Sequence, residues 1–226
     1  MKIRVLLFSL FFSLLSFGQV KAEYGFVDAK MASIPVSATT STTSIANFIQ
    51  SNFKSDSDRI RAAFFWTTSN IRYDLADMNV TRYSESREDK INRALQSKKG
   101  VCSHYAAIFN ELAEKMGIQS YVIEGYNKQN GKLANLAHAW NAAKIDSKWY
   151  VFDPTWGAGY VNNGKFFKKL NNSYFKVEPI KIIATHMPFD YLWQFLNYPF
   201  TNGEFYEGKI QVNKSKKYFD FEREIA

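Results

Sequence analysis

Residues 101–154 constrain the fold more than any other part of this 226-residue chain. Cys102, Tyr105, Ala106, Phe109, Leu112, Ala113 and Met116 recur at three- and four-residue spacing, which puts them on one face of a helix. Gly117 follows where a left-handed residue would end that helix. The period then changes. Tyr121-Val122-Ile123 reads as strand and 127–132, with Asn130-Gly131, as a turn. Residues 136–145 and 149–153 read as two strands of a hairpin around Asp146-Ser147-Lys148, and Pro154 ends the second because it cannot donate to the ladder. A helix with one apolar face, followed by an antiparallel hairpin, predicts an α+β layout with the helix packed on the sheet.

That hairpin decides which side chains meet. If Lys144 pairs with Trp149, Asp153 comes opposite Trp140, on the sheet face that His138 occupies. A slip of one residue puts Asp153 opposite Asn141, on the other face. The first register is expected, or a bulge near Asp153 with the same effect.

Cys102 opens its predicted helix just after Lys98-Lys99-Gly100, where the positive end of the helix dipole favours thiolate over thiol. Its helical phase directs it toward the sheet. A thiol nucleophile needs a base within hydrogen-bond reach, and the base needs a group that orients it. His138 and Asp153 are the candidates. Taken singly, each is commonplace: a Cys packed like Ala, a strand His with satisfied nitrogens, an Asp capping the next turn. Together they make a candidate catalytic set. His104 lies two residues past Cys102 and so points away from the Cys face. His186, in a weakly patterned stretch, reads as a packing or surface residue. Three dispersed histidines and a single Cys argue against a metal site, and no Asp/Asn-rich calcium loop is present, so no cofactor is expected.

The N-terminus carries a different message. Lys2 and Arg4 precede an apolar run over residues 5–17, shorter than the roughly 20 residues that a spanning helix needs. This is the pattern of a signal peptide over residues 1–22, with cleavage after Gly18 or Ala22. The mature protein is then exported (periplasmic, cell-surface or secreted), with no further transmembrane segment. No Cys follows the run, which excludes a lipid anchor at that junction. In an exported protein cysteines usually pair, but one Cys permits neither an internal disulfide nor a CxxC site. The net charge of +8 falls to +5 once Lys2, Arg4 and Lys21 are removed, and the remaining basic residues are scattered, so no nucleic-acid partner is expected.

Elsewhere the patterns are softer. Residues 23–44 lack periodicity, and the Ser/Thr/Ala-rich stretch 37–44 reads as a flexible lead-in. Ile45, Phe48, Ile49 and Phe53 recur at helical spacing, Asp56 and Asp58 mark a helix start, and Ser86 and Asp89 have capping-box spacing. Residues 174–177 and 205–212 read as strands, and the aromatic-rich segment 182–197 as a cover over the domain. The expected division is a signal peptide (1–22), a lead-in (23–44), a core (45–160) and an extension packing on it (161–226). Aromatic residues at 17% supply ample core volume.

Three short motifs carry a resemblance. Gly100-Val101-Cys102-Ser103-His104-Tyr105-Ala106, His138-Ala139-Trp140-Asn141 and Asp153-Pro154-Thr155-Trp156-Gly157, in that order, resemble the core of the transglutaminase-like superfamily. The similarity runs from about Ile60 to Gly159 and points to the bacterial and kyphoscoliosis-peptidase-like members. Phe65-Trp66 and Ile71-Arg72-Tyr73-Asp74 look like that family's helix before the nucleophile. Tyr174-Phe175, His186-Met187-Pro188 and Trp193-Gln194 look like the tail of the kyphoscoliosis-like subgroup. The resemblance implies a papain-like fold, with Cys102 as nucleophile, His138 as base and Asp153 as orienting acid of an acyl-transfer enzyme. Its substrates would be peptides or proteins, cut or cross-linked through a thioester. His104 departs from the pattern, since many members carry Gly there, and it would narrow the site's mouth or touch substrate. These motifs do not fix the oxyanion donor; the Cys102 backbone N–H is available at the helix start, and Trp66 and Tyr73 are side-chain candidates. A catalytically inactive module that binds protein or envelope polymer, and a surface protein linked through its lone Cys, are the alternatives.

Overall fold

The structure is a computed structural model that describes residues 24–80, 82, 84–209 and 218–226, so the predicted signal peptide lies outside the described residues. Three helices come first: α1 (Gly25–Ala32), α2 (Thr42–Asn52) and α3 (Asp56–Asn70). The Ser41 and Ser55 hydroxyls accept from backbone N–H groups in the first turns of α2 and α3, satisfying donors that a helix start leaves free. A short strand β1 (Arg72–Tyr73) leads to α4 (Arg87–Ser97), which opens with the Ser86–Asp89 capping box expected from the sequence. Strand β2 (Lys99–Gly100) pairs with β1 in parallel and delivers the chain to α5 (Cys102–Lys115).

Gly117, at φ 77°, turns the chain from α5 into the sheet. Strands β3 (Ser120–Gln129), β4 (Lys132–Leu133), β5 (His138–Ile145) and β6 (Lys148–Phe152) form it in the order β4-β3-β5-β6, all antiparallel. Lys144 pairs with Trp149 and Asn141 with Phe152, which is the register that puts Asp153 on the His138 side. Beyond it lie α6 (Pro154–Ala158), a hairpin of β7 (Gly159–Asn162) and β8 (Lys165–Lys168), α7 (Pro179–Ile182), β9 (His186–Pro188), α8 (Asn202–Glu207) and α9 (Phe221–Ile225).

The α+β layout is as expected. Helix α5 is the hub of the core: Tyr105, Ile108, Phe109 and Leu112 are fully buried with Ile45 and Ile49 of α2, Ile60, Phe64 and Trp66 of α3, and Phe152 of β6. Phe109 and Phe152 meet at a centroid separation of 5.2 Å, which fastens the helix to the sheet. On the other sheet face, Trp140, Trp149 and Val151 pack with Ile182 and Phe195. Segment 182–197 therefore covers the domain, as expected.

Three expectations need correction. The lead-in is helical, not flexible. It buries Val27 and Met31, and the Ser/Thr run supplies a 3-10 turn over Val36–Thr39 and the cap of α2. A charge pair adds to those apolar contacts. Arg61, fully buried on α3, donates to both carboxylate oxygens of Asp28 at 2.7 and 2.6 Å and to Asn172 Oδ1 at 2.8 Å, flanked by the rings of Tyr24 and Phe175. Residues 174–177 make only a single bridge, Val177 to Val151, because Tyr174 lies in a 3-10 turn. Phe205 lies in helix α8, capped by Thr201 and Glu204, rather than in a strand, and positions 210–212 of that expected strand lie outside the described residues.

The Arg61 cluster joins the lead-in, the helical layer and the C-terminal region. Asp28→Ala leaves a buried guanidinium without its counter-charge, which costs about 3 kcal/mol. Urea unfolding should show that loss as a lower midpoint with an unchanged slope.

Candidate active site

Cys102 is the first residue of α5, so its N–H has no partner within the helix and the dipole's positive end lies at its side chain. Gly100 makes this entry possible. A Cβ there would lie 2.6 Å from His104 Cβ. His104 points back from α5, buried, and its Nδ1 accepts the Val101 N–H at 3.1 Å. It therefore caps the helix that carries Cys102, and does not stand at the mouth of the site or face the thiol.

Strand β5 brings His138 to Cys102, and β6 brings Asp153 to His138. His138 Nε2 and Asp153 Oδ2 are 2.8 Å apart, both side chains buried. An ionised carboxylate can only accept, so the imidazole donates from Nε2 and its other nitrogen is left for Cys102, with which it is hydrogen-bonded. Asp153 has two functions at once. Its Oδ1 accepts the N–H groups of Thr155 at 2.9 Å and Trp156 at 3.0 Å, so it caps α6, with Pro154 at the position where a missing N–H costs nothing. The capping role read from the sequence and the orienting role thus belong to different oxygens of one carboxylate.

Burial alone would raise the Cys102 thiol, but the hydrogen bond and charge of His138 and the N–H of Ala139 together hold it below the ordinary thiol range. Burial would lower the His138 imidazole. The charge of Asp153, its hydrogen bond and the contact with Cys102 reverse that, and His138 is held well above the ordinary histidine value. Burial likewise works to raise the Asp153 carboxyl, yet His138 and then His186 keep it ionised. These directions together favour a thiolate beside an imidazolium, backed by a carboxylate.

His186 is placed differently from its expectation as packing or surface. It is buried, and its Nε2 lies 3.1 Å from the same Oδ2 of Asp153. Strand β9 carries it there by pairing with β3, Asn127 opposite His186 and Gly125 opposite Pro188. Gly125 is needed for that approach, since a Cβ would meet Met187 O at 2.1 Å. The rings of Trp140 and Trp156 enclose both histidines: Trp156 stacks on His138 at 5.4 Å and meets His186 edge-on at 4.6 Å. No periodicity marked His186. Its only signal was the softer likeness of the tail motif.

The expectation that the histidines are too dispersed to cluster is also corrected. One nitrogen each of His138 and His186 and one oxygen of Asp153 lie within 4.8 Å of one another. Hydrogen bonds among themselves already engage those atoms. Of the two side-chain donors proposed for the oxyanion, Trp66 is fully buried with its indole N–H unpartnered. Tyr73 is half-buried near Cys102, and burial, followed by the charges of Cys102 and Asp153, pushes its phenol up to about 12. It stays protonated and able to donate.

Fold and site together define a transglutaminase-like domain. Residues 43–154 match the sequence model of the transglutaminase-like superfamily, and this part of the chain belongs to it. The chain is 32% identical over 152 residues to human kyphoscoliosis peptidase, covering 64% of this chain and 22% of that protein. The mouse kyphoscoliosis peptidase is 31% identical over 153 residues, with 64% and 23% covered. This chain thus spans about a fifth of the length of these relatives. Among solved structures, the periplasmic domain of TgpA from Pseudomonas aeruginosa is 18% identical, with 58% of this chain and 48% of that chain covered and a TM-score of 0.42. Among the described residues no helix is long and apolar enough to cross a membrane.

The geometry has a direct spectroscopic consequence. Ultraviolet absorbance of the thiolate, taken as wild type minus Cys102→Ser, should persist below the ordinary thiol range and vanish as pH falls through the depressed Cys102 value. In His138→Ala the same absorbance should appear only at the pH of an ordinary or buried thiol.

Proposed function

We propose that the protein is an exported acyl-transfer enzyme that acts on peptide or glutamine-type amides, with Cys102 as nucleophile, His138 as acid and base, and Asp153 as orienting group. The observation that carries this reading is the hydrogen-bonded Cys102–His138 pair with the Asp153 carboxylate 2.8 Å behind the buried imidazole. The Cys102 thiolate adds to the amide carbonyl carbon, and the carbonyl pair moves onto oxygen. The backbone N–H of Cys102 at the head of α5 is available to that developing charge, and the Tyr73 phenol, which stays protonated, is a side-chain candidate. Collapse breaks the C–N bond while the imidazolium proton passes to the departing amine. A thioester and a neutral His138 remain. Water or a primary amine then gives its proton to His138, attacks the thioester, and expels the thiolate.

The two fates, hydrolysis and cross-linking, share every group of this site and differ in the acceptor. The superfamily match and the partial exposure of Cys102 support a protein or peptide as the substrate class. Export is supported by the signal-peptide pattern of residues 1–22.

Incubation with a glutamine-containing peptide and a primary amine, followed by intact-protein mass spectrometry, tests the reading. The expected result is an acyl adduct on Cys102, absent in Cys102→Ser and reduced by about 10⁴-fold in rate in Asp153→Asn, the loss typical of a misoriented imidazole. No adduct with any amide, from a protein whose thiol does not react, contradicts it and favours the binding-module reading.

A further inference from the structure

Asp153 Oδ2 receives two imidazoles, and a Cys-His-Asp mechanism uses only one. His138 Nε2 is at 2.8 Å and His186 Nε2 at 3.1 Å. We propose that His186 is a positioning residue for the triad: held as the neutral Nε2–H form by Thr185, it fixes the plane of the Asp153 carboxylate so that Oδ2 faces His138. The proposal rests on the acyl-transfer reading above.

The tautomer follows from the partners. Oδ2 can only accept, so His186 Nε2 carries the proton. Its Nδ1 lies 2.8 Å from Thr185 Oγ1 and must then accept, which directs the Thr185 hydroxyl proton to the ring rather than to Ile182 O at 3.2 Å. Burial and the neighbouring His138 charge oppose protonation of His186, while Asp153 favours it. The balance leaves the ring below the ordinary histidine value. The ring is packed among aromatic neighbours: Trp140 meets it edge-on at 5.0 Å, Trp156 at 4.6 Å, and Tyr174 lies at 6.4 Å. The titratable groups facing this cluster are Asp153, His138, Cys102, Tyr73, Tyr105 and Tyr174.

Geometry explains why a second donor is useful. Oδ1 is pinned by two N–H groups, but these alone allow the carboxylate to rock about that oxygen. A donor on Oδ2 from a separate strand stops the rocking and shares the negative charge that His138 experiences. It also makes β9, from the extension, part of the machinery: without segment 179–188 the core would hold all three triad residues but not the carboxylate's orientation.

The test is the pH profile of iodoacetamide alkylation at Cys102 in the full chain. It compares wild type with His186→Leu, His186→Gln and His186→Asn, each shown to be folded by circular dichroism. A Gln amide can place its N–H near the Nε2 position, whereas Asn falls short of it. The expected result is a neutral-pH rate about 10–100-fold lower for Leu and Asn, by analogy with the loss on removing the hydrogen bond behind a metal-ligating histidine. The acid limb should shift toward higher pH, with Gln within a few-fold of wild type. If Leu does not fold, the Gln–Asn pair alone decides. Equal rates and profiles for wild type and Asn overturn the proposal, as does a folded Gln variant no faster than Asn. A wild-type thiol that is itself unreactive at neutral pH defeats the acyl-transfer reading instead, so the two failures are distinct.

Discussion

The structure depends on one buried carboxylate. A carboxylate taken out of water costs several kcal/mol unless its lone pairs are met. Asp153 meets four donors: two backbone N–H groups on Oδ1 and two imidazole nitrogens on Oδ2. Each donor comes with a structural demand. The backbone pair requires α6 to start at Pro154. His138 requires the β5–β6 register in which Lys144 meets Trp149. His186 requires β9 to close on β3 over Gly125. The carboxylate is thus the point at which hairpin, helix start and extension agree.

The same carboxylate sets the chemistry. Charge on Asp153 makes His138 a better proton acceptor than a buried imidazole would otherwise be, and His138 in turn stabilises a thiolate at the head of α5. Helix α5 is packed from three sides, by α2, α3 and the sheet, so Cys102 is delivered by a rigid element. On such an element a nucleophile would keep the geometry that the proposed acyl transfer needs. Loops are not asked to supply it.

Much of this was legible in the sequence. The period change after Gly117 gives the helix-then-sheet order, and parity along the hairpin puts His138 and Asp153 on one face in the register that pairs Lys144 with Trp149. The capping box at Ser86 was readable because caps are local. What could not be read depends on long-range pairing. Helix α1 has weak amphipathicity and is held by Arg61, 33 residues away from Asp28. His186 sits on a three-residue strand, too short for a period-two signal, and reaches Asp153 across 33 positions. The expected strand at 205–212 failed because local Thr201–Glu204 capping decided the structure of Phe205 over its β propensity.

The central claim is the charge state of the two histidines on one carboxylate, and nitrogen NMR of the imidazoles reads it directly. At neutral pH, His138 should show two protonated nitrogens and lose that state in Cys102→Ala, while His186 should be neutral with its proton on Nε2. A neutral His138 that titrates at the ordinary histidine value, or a His186 with its proton on Nδ1, would contradict the account.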